Sequence, residues 1–286
     1  MSLSGSALLA GVIGWPIAQS LSPALHGHWL EEYEIDGAYV PLAIRPEDFA
    51  RSIDGLVRAG FKGFNVTVPH KEAAFALATS HDNAAAATGA VNLLVAGTNG
   101  LDGRNTDIYG LSATLTDALG NDSLRGKTAA IWGAGGTTRA AIFALAGLGV
   151  TEIRLFNRTP AKAAALASSF ASRVPAKLSG AGYAAWGRAA KDTTIIIHTT
   201  SAGMKSTPSL DLPLENLPDD AAVFDAVYNP LETGLLAQAR TRGLKTVDGL
   251  WMLLHQAVPS FEAFYGVRPA VTPALHAKLA KALRGD

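Results

Sequence analysis

The sequence predicts an α/β protein of two domains built on parallel sheets. Three observations carry that expectation. Short runs of β-branched and aromatic residues alternate with helical patterns along most of the chain, which gives parallel strands joined by helical crossovers. A polar, turn-rich stretch from Asn121 to Lys127 splits the alternation into two series. The length, 286 residues, suits two domains better than one.

In the first series Leu8–Ile13, Tyr39–Ile44 and Phe61–Val66 read as strands, separated by helical patterns near Pro23–Tyr33 and Pro46–Ala59. Helices follow at Lys71–Ala78 and, after a short strand near Val91–Val95, at Thr106–Leu119. The second series has strands at Ala129–Trp132, Glu152–Phe156, Thr194–His198, Ala222–Asp225 and Lys245–Val247. Alanine-rich helices lie between them, for example Arg139–Leu148 and Pro160–Phe170, and helices near Leu250–Tyr265 and Pro273–Leu283 follow the last strand. Alanine richness hides any periodicity in Ala176–Lys191, and Met1–Ser6 reads as a disordered lead.

Composition removes several function classes. Lys+Arg and Asp+Glu are both 24, so the net charge is +0, whereas nucleic-acid binders carry a basic face. The absence of cysteine excludes disulfides, thiolate metal sites and thiol catalysis. No apolar run approaches the roughly 20 residues that span a bilayer. Ala7–Ile13 is apolar but lacks a basic leader and is interrupted by Gly14-Trp15-Pro16, unlike an export signal. A cytoplasmic protein, without nucleic-acid or membrane partners, is expected.

The most informative stretch is Asn65-Val66-Thr67-Val68-Pro69-His70-Lys71. It reads as a strand ending in a polar turn, with Pro69 at the first position of the next helix, where its missing N–H costs nothing. An amide, a hydroxyl and an ammonium thereby gather at a strand's carboxyl end, where open α/β sheets bind ligands. Ser20-Leu21-Ser22-Pro23 opens an earlier helix, with Ser22 as its expected N-cap and Ser20 outside that role. Gly89-Ala90-Val91-Asn92 and Asn105-Thr106-Asp107 form two further polar clusters. Asp107 also suits the first turn of a helix as a purely structural carboxylate, and Gln256 a solvated helix face.

The second series opens with a nucleotide signature. Ala129-Ala130-Ile131-Trp132 runs into Gly133-Ala134-Gly135-Gly136-Thr137-Thr138 and then directly into a helix. The first glycines permit a tight turn and close backbone approach to a pyrophosphate, and the helix start supplies N–H groups and positive dipole. Thr138 stands where the fingerprint has its third glycine. After the next strand an NAD enzyme would carry an acidic residue. This chain has Asn157-Arg158-Thr159 and then Lys162, which attract a 2′-phosphate that a carboxylate would repel. The residues point to NADP.

Taken in order, these motifs resemble the shikimate dehydrogenase family from about Gly11 to Phe264, with Asp248-Gly249-Leu250 and Met252-Leu253-x-x-Gln256 completing the set. The resemblance implies a substrate-binding domain, 1–106 plus 250–286, with a mainly parallel sheet. An inserted Rossmann NADP-binding domain spans 107–249, with a cleft where the domains meet. It also implies reversible hydride transfer between NADPH and 3-dehydroshikimate, a step of chorismate and aromatic amino acid biosynthesis, by a monomer or homodimer. Lys71 and Asp107 would be catalytic, at the reacting oxygen. Ser20 and Ser22 would hold the ring carboxylate with Tyr228 nearby, and Thr67, Asn92 and Gln256 the ring hydroxyls. The cofactor would meet Gly133, Ala134, Gly135, Gly136, Thr137, Asn157, Arg158, Thr159, Lys162, Thr200, Ala226 and Gly249, with Thr199 and Met204 lining the nicotinamide end. No metal is implied.

Five positions depart from the family pattern. Gln19 replaces a frequent His, Lys162 an Arg, His198 an Asn, Arg104 an acidic residue and Trp251 a glycine. His198 reads as a strand-end packing residue rather than a metal ligand, since no ligand-type partner stands at suitable spacing. As hydride reaches a carbonyl carbon, charge grows on its oxygen and must meet a proton or cation. Lys71 suits that task; an ammonium stabilises an oxyanion well but is a poor base for the reverse reaction, so proton shuttling and pure charge stabilisation both stay open. Related readings are a quinate/shikimate or aminoshikimate dehydrogenase and a non-catalytic NADP-binding regulator. A folate-linked dehydrogenase would need a pterin pocket that these motifs do not supply.

Overall fold

A computed structural model describes residues 3–205 and 207–284. The chain forms two compact units. The first holds residues up to Thr106 together with Gln256–Leu275, and the second holds Asp107–His255 with the segment from His276 onward.

The first unit contains β1 (Leu8–Gly14), α1 (Ser22–Glu32), β2 (Gly37–Ala43), α2 (Phe49–Arg58), β3 (Gly63–Val66), α3 (Lys71–Leu77), β4 (Ser80–His81), α4 (Asn83–Thr88), β5 (Leu93–Gly97) and β6 (Gly100–Arg104). Its sheet has the order β2-β1-β3-β5-β6-β4, and only β5 runs against its neighbours. The β5–β6 hairpin was not visible in the sequence as two strands, because its Gly97-Thr98-Asn99-Gly100 turn and polar β6 lack an apolar alternation. One face buries Ile13, Phe64, Val66 and Leu94 against Phe49 and Ile53 of α2 and Ala74 of α3. Another cluster sets Trp29 edge-on to Phe261 with centroids 5.4 Å apart.

The second unit contains α5 (Asp107–Leu119), β7 (Thr128–Trp132), α6 (Gly136–Gly147), β8 (Glu152–Asn157), α7 (Pro160–Phe170), β9 (Lys177–Gly182), α8 (Trp186–Ala189), β10 (Ile195–His198), β11 (Ala222–Asp225), α9 (Gly234–Thr241) and β12 (Lys245–Asp248). Helices α10 (Gly249–Tyr265) and α11 (Pro273–Arg284) complete the chain. All six strands are parallel, in the order β12-β11-β10-β7-β8-β9. This is the doubly wound dinucleotide-binding order, in which the winding reverses between β7 and β10. Both faces are covered. Ile195 and Ile197 join one core cluster with Ile131 and Phe224, while Ile196 joins the other with Trp132, Phe156 and Trp186. Burial on both faces explains why these strands read as unbroken apolar runs.

Several local expectations are corrected. Helix α10 passes from one unit to the other between His255 and Gln256, and α11 does so between Leu275 and His276. At the base of α10, Trp251 stacks on His276 of α11 at 4.2 Å, and His276 Nε2 lies 3.0 Å from Asp248 Oδ1. Pro69 is not at the start of α3. The Val68–Pro69 bond is cis, His70 is the N-cap and Lys71 is the first helical residue. The lead is not wholly loose, since the Ser4 N–H donates to Asp36 Oδ1 at 3.2 Å. Met1 and Ser2 lie outside the described residues.

Candidate active site

In the first unit the polar residues cluster around the carboxyl end of β3. His70 is buried, stacked on Phe49 at 4.7 Å, with Nε2 2.8 Å from the Ile44 carbonyl oxygen. The Val91 N–H donates to the Lys71 carbonyl at 3.0 Å, so both backbone neighbours of the turn are anchored. Lys71 and Thr67 are half-buried beside that anchor, and the Thr67 N–H donates to Ile13 O at 2.9 Å.

Asn92, Thr106 and Gln256 form one hydrogen-bonded group. The Thr106 N–H donates to Asn92 Oδ1 at 2.7 Å, and Asn92 Nδ2 donates to Thr106 Oγ1 at 3.0 Å. Gln256 Oε1 accepts from Thr106 Oγ1 at 3.2 Å and from Asn92 Nδ2 at 3.4 Å. Thus Gln256 is not a solvated surface residue. Thr106, which motif reading left without a role, is the link, and Asp107 follows it directly at the buried start of α5. Asn105 is a staple instead: its Nδ2 donates to Ala90 O at 2.9 Å and to Thr88 Oγ1 at 3.1 Å.

The capping role expected of Ser22 is not met, since Leu21 stands at the N-cap of α1. Ser22 is the first residue of α1, not its N-cap, and the Ser22 N–H donates to Ser20 Oγ at 3.3 Å. Ser22 is buried, and its hydroxyl is bonded to the Tyr39 phenol. Burial pushes that phenol's pKa well up, and the Ser22 bond opposes the shift. The Tyr39 hydroxyl donates to Asn65 Oδ1 at 2.7 Å, and Asn65 Nδ2 donates to Ser260 Oγ at 2.8 Å. A buried polar chain therefore backs Ser22. Tyr39 and Ser260 carried no sequence signal, because only tertiary packing brings them to Asn65.

The second unit gathers its candidates at the switch point. Gly133 has φ +134, and a Cβ there would lie 2.4 Å from Thr199 Oγ1, so glycine is required on both counts. Gly135 and Gly136 face open space, and the first-turn N–H groups of α6, including that of Thr137, have no intrahelical acceptor. Thr138 compensates for the missing third glycine. Its hydroxyl accepts from the Gly135 N–H at 3.1 Å and lies 2.8 Å from Thr199 Oγ1, which itself donates to Trp132 O at 3.0 Å. The threonine thus ties the glycine turn to the β10 loop.

At the end of β8, Asn157 Nδ2 donates to Thr159 O at 3.1 Å, which shapes the turn into α7. Thr159 is the N-cap but makes no side-chain cap, so this helix start is open as well. Arg158 and Lys162 are exposed, and among the described residues neither is ion-paired with a carboxylate. Two cations at an open helix start suit a dianionic phosphate. The donors and the glycine cradle therefore fit a phosphorylated dinucleotide. At the far end, a Cβ on Gly249 would lie 2.5 Å from Ala226 O, so β11 and β12 end in close backbone contact. Tyr228 is half-buried on the loop after β11.

Residues 12–94 match the family model described as the shikimate dehydrogenase substrate binding domain, and residues 115–205 match that of shikimate / quinate 5-dehydrogenase. The shikimate dehydrogenase (NADP(+)) of Acidiphilium cryptum (strain JF-5) is 48% identical over 286 residues, covering 100% of both chains. The chain belongs to the shikimate dehydrogenase family. Among solved structures, a shikimate dehydrogenase in complex with NADP+ matches with TM-score 0.87 at 32% identity, covering 99% of this chain and 97% of that one. The Thermus thermophilus shikimate 5-dehydrogenase in complex with NADP(H) and shikimate matches with TM-score 0.84 at 33% identity, covering 96% and 99%.

Two departures from the shikimate dehydrogenase pattern are now explained. Trp251 is held by its stack on His276, and Arg104 pairs with Asp102 at 2.7 Å. Nothing in the structure explains Gln19, which is exposed. No helix among the described residues is long and apolar enough to cross a membrane, and none of their side chains form a group of three or more suited to hold a metal ion.

Proposed function

We propose that this protein catalyses the reversible NADP-dependent reduction of 3-dehydroshikimate to shikimate. The observation that carries the reading is the hydrogen-bonded Asn92–Thr106–Gln256 group, one peptide bond from Asp107 and on the same unit as Lys71. A polyhydroxy ring acid needs a partner for each hydroxyl once water is expelled, and a site built this way rejects analogues lacking one. Bound NADPH supplies the hydride.

In this reading Ser20 and Ser22 hold the ring carboxylate, with Tyr228 contributing from the loop after β11. Thr67, Asn92 and Gln256 take the hydroxyls. Lys71 meets the developing negative charge on the reacting oxygen, and Asp107 orients the ammonium. The start of α6, from Gly133 through Thr137, receives the pyrophosphate. Asn157, Arg158, Thr159 and Lys162 take the 2′-phosphate, and Thr200, Ala226 and Gly249 flank the nicotinamide end. The test is NADP reduction followed by nicotinamide absorbance, with shikimate and quinate each offered against NADP and NAD. Turnover confined to quinate would transfer the assignment to the quinate branch. Binding of NADP without oxidation of any cyclic hydroxy acid would leave only a regulator.

A further inference from the structure

In the second unit a chain of hydrogen bonds joins Thr200 to two buried residues, His198 and Asp225, that have no part in the reading above. His198 ends β10 and is paired in register with Asp225 at the end of β11. His198 Nδ1 lies 2.8 Å from Asp225 Oδ1, and both side chains are buried. Asp225 is also held by the Val227 N–H at 3.0 Å to Oδ1 and by the Thr233 hydroxyl at 2.6 Å to Oδ2. On the other side of the ring, His198 Nε2 lies 2.6 Å from Thr200 Oγ1, which also accepts from the Ala202 N–H at 3.1 Å. The ring is therefore a partner of Asp225 across the strands, not a packing residue.

The donor and acceptor roles follow from the ends of this chain. A carboxylate only accepts, so the proton of a neutral imidazole sits on Nδ1 and Nε2 carries the lone pair. Thr200 must then donate its hydroxyl proton to Nε2. One of its oxygen lone pairs is used by Ala202, and the other remains for a ligand. Thr200 is partly exposed at the carboxyl end of β10, beside the switch point. In that state it can accept a hydrogen bond but not give one. A pyrophosphate oxygen is a poor match for it, whereas a carboxamide N–H is a good one.

We propose that His198, backed by Asp225, is a positioning residue that holds Thr200 as a dedicated acceptor for the nicotinamide carboxamide N–H. The inference deepens the NADP-dependent reading and rests on it. The carbonyl of His198 adds a second constraint, since it accepts from the Ala226 N–H at 2.9 Å. Two of the three residues proposed to flank the nicotinamide end, Thr200 and Ala226, are thus both bonded to residue 198, one through its ring and one through its backbone.

The test compares binding of NADP with binding of its 3-acetylpyridine analogue, which lacks the carboxamide N–H, by calorimetry on the full chain. One neutral hydrogen bond corresponds to roughly a fivefold to tenfold preference for NADP. Thr200→Val should bring the ratio close to one, and Thr200→Ser should restore it. His198→Asn places an amide N–H near the Nδ1 position and keeps the Asp225 bond, but cannot reach Thr200. His198→Gln places its carbonyl oxygen near the Nε2 position and retains the acceptor for the Thr200 proton. The positioning role requires His198→Gln to preserve the ratio better than His198→Asn. A merely structural role requires the reverse order, and that order would overturn the proposal. If neither histidine variant folds, a ratio unchanged in Thr200→Val overturns it equally. A wild-type chain that neither binds NADP nor oxidises shikimate defeats the parent reading. An active wild type with an unmoved ratio defeats this inference alone.

Discussion

His26 should make the first unit acid-sensitive, by an amount that its surroundings set. The ring is buried on α1, stacked on Tyr39 at 3.8 Å, and neither nitrogen has a hydrogen-bond partner. Burial without a partner disfavours the imidazolium and lowers the pKa from 6.5 to about 3. In the unfolded chain the ring titrates near its ordinary value. Between those two values the unfolded state binds a proton that the folded state does not, so stability falls as the pH drops through that window and is level above it. Integrating from about pH 7 to about pH 5 gives a loss of roughly 2 kcal/mol from this group. The perturbation is His26→Phe, which keeps a flat ring against Tyr39 and removes both titration and the two unsatisfied nitrogens. At about pH 7 the variant should be neutral to stabilising, because an unmet buried polar group costs about 1–3 kcal/mol. Its advantage over the wild type should then grow by roughly 2 kcal/mol at about pH 5. Urea unfolding at both pH values measures this, and every other titrating group is common to the two proteins and cancels. Stability curves that stay parallel across the window would show that the ring titrates alike in both states, and the argument from burial would be wrong.

Three further outcomes are expected. Lys71→Ala should lower kcat by about 10²–10⁴ with a modest change in substrate KM, and near-normal turnover would remove Lys71 from the chemistry. Arg158→Ala should weaken NADP by about tenfold or more while leaving NAD nearly unaffected, since only the former carries the 2′-phosphate. Equal losses in titrations with the two cofactors would contradict that assignment. Gly249→Ala sets a Cβ 2.5 Å from Ala226 O and 2.8 Å from Asp225 O, backbone atoms that cannot turn aside. It should cost about 1–3 kcal/mol of stability. A thermal midpoint matching the wild type would mean that β11 and β12 can separate at no cost.

The sequence by itself determined the α/β class, the positions of the regular strands and the chemistry of the turns. Those features are local: β-branched runs such as Ile195-Ile196-Ile197 must be buried on both faces, and Gly133 must adopt a backbone conformation that few other residues tolerate. Elements without such a local signature escaped. Polar β4 and β6, the six-residue α4 and the β9–α8 segment within the alanine-rich stretch are held by their neighbours, not by their own pattern. Tertiary structure alone decided which polar groups are partners. Ser20 Oγ accepts the Ser22 N–H, while the Ser22 hydroxyl is bonded to a tyrosine that arrives from β2. Thr106 joins Asn92 to Gln256 across 164 positions of chain, and His198 meets Asp225 across 27. A hydrogen bond is made between atoms that folding brings within about 3 Å, and no spacing along the chain encodes that distance.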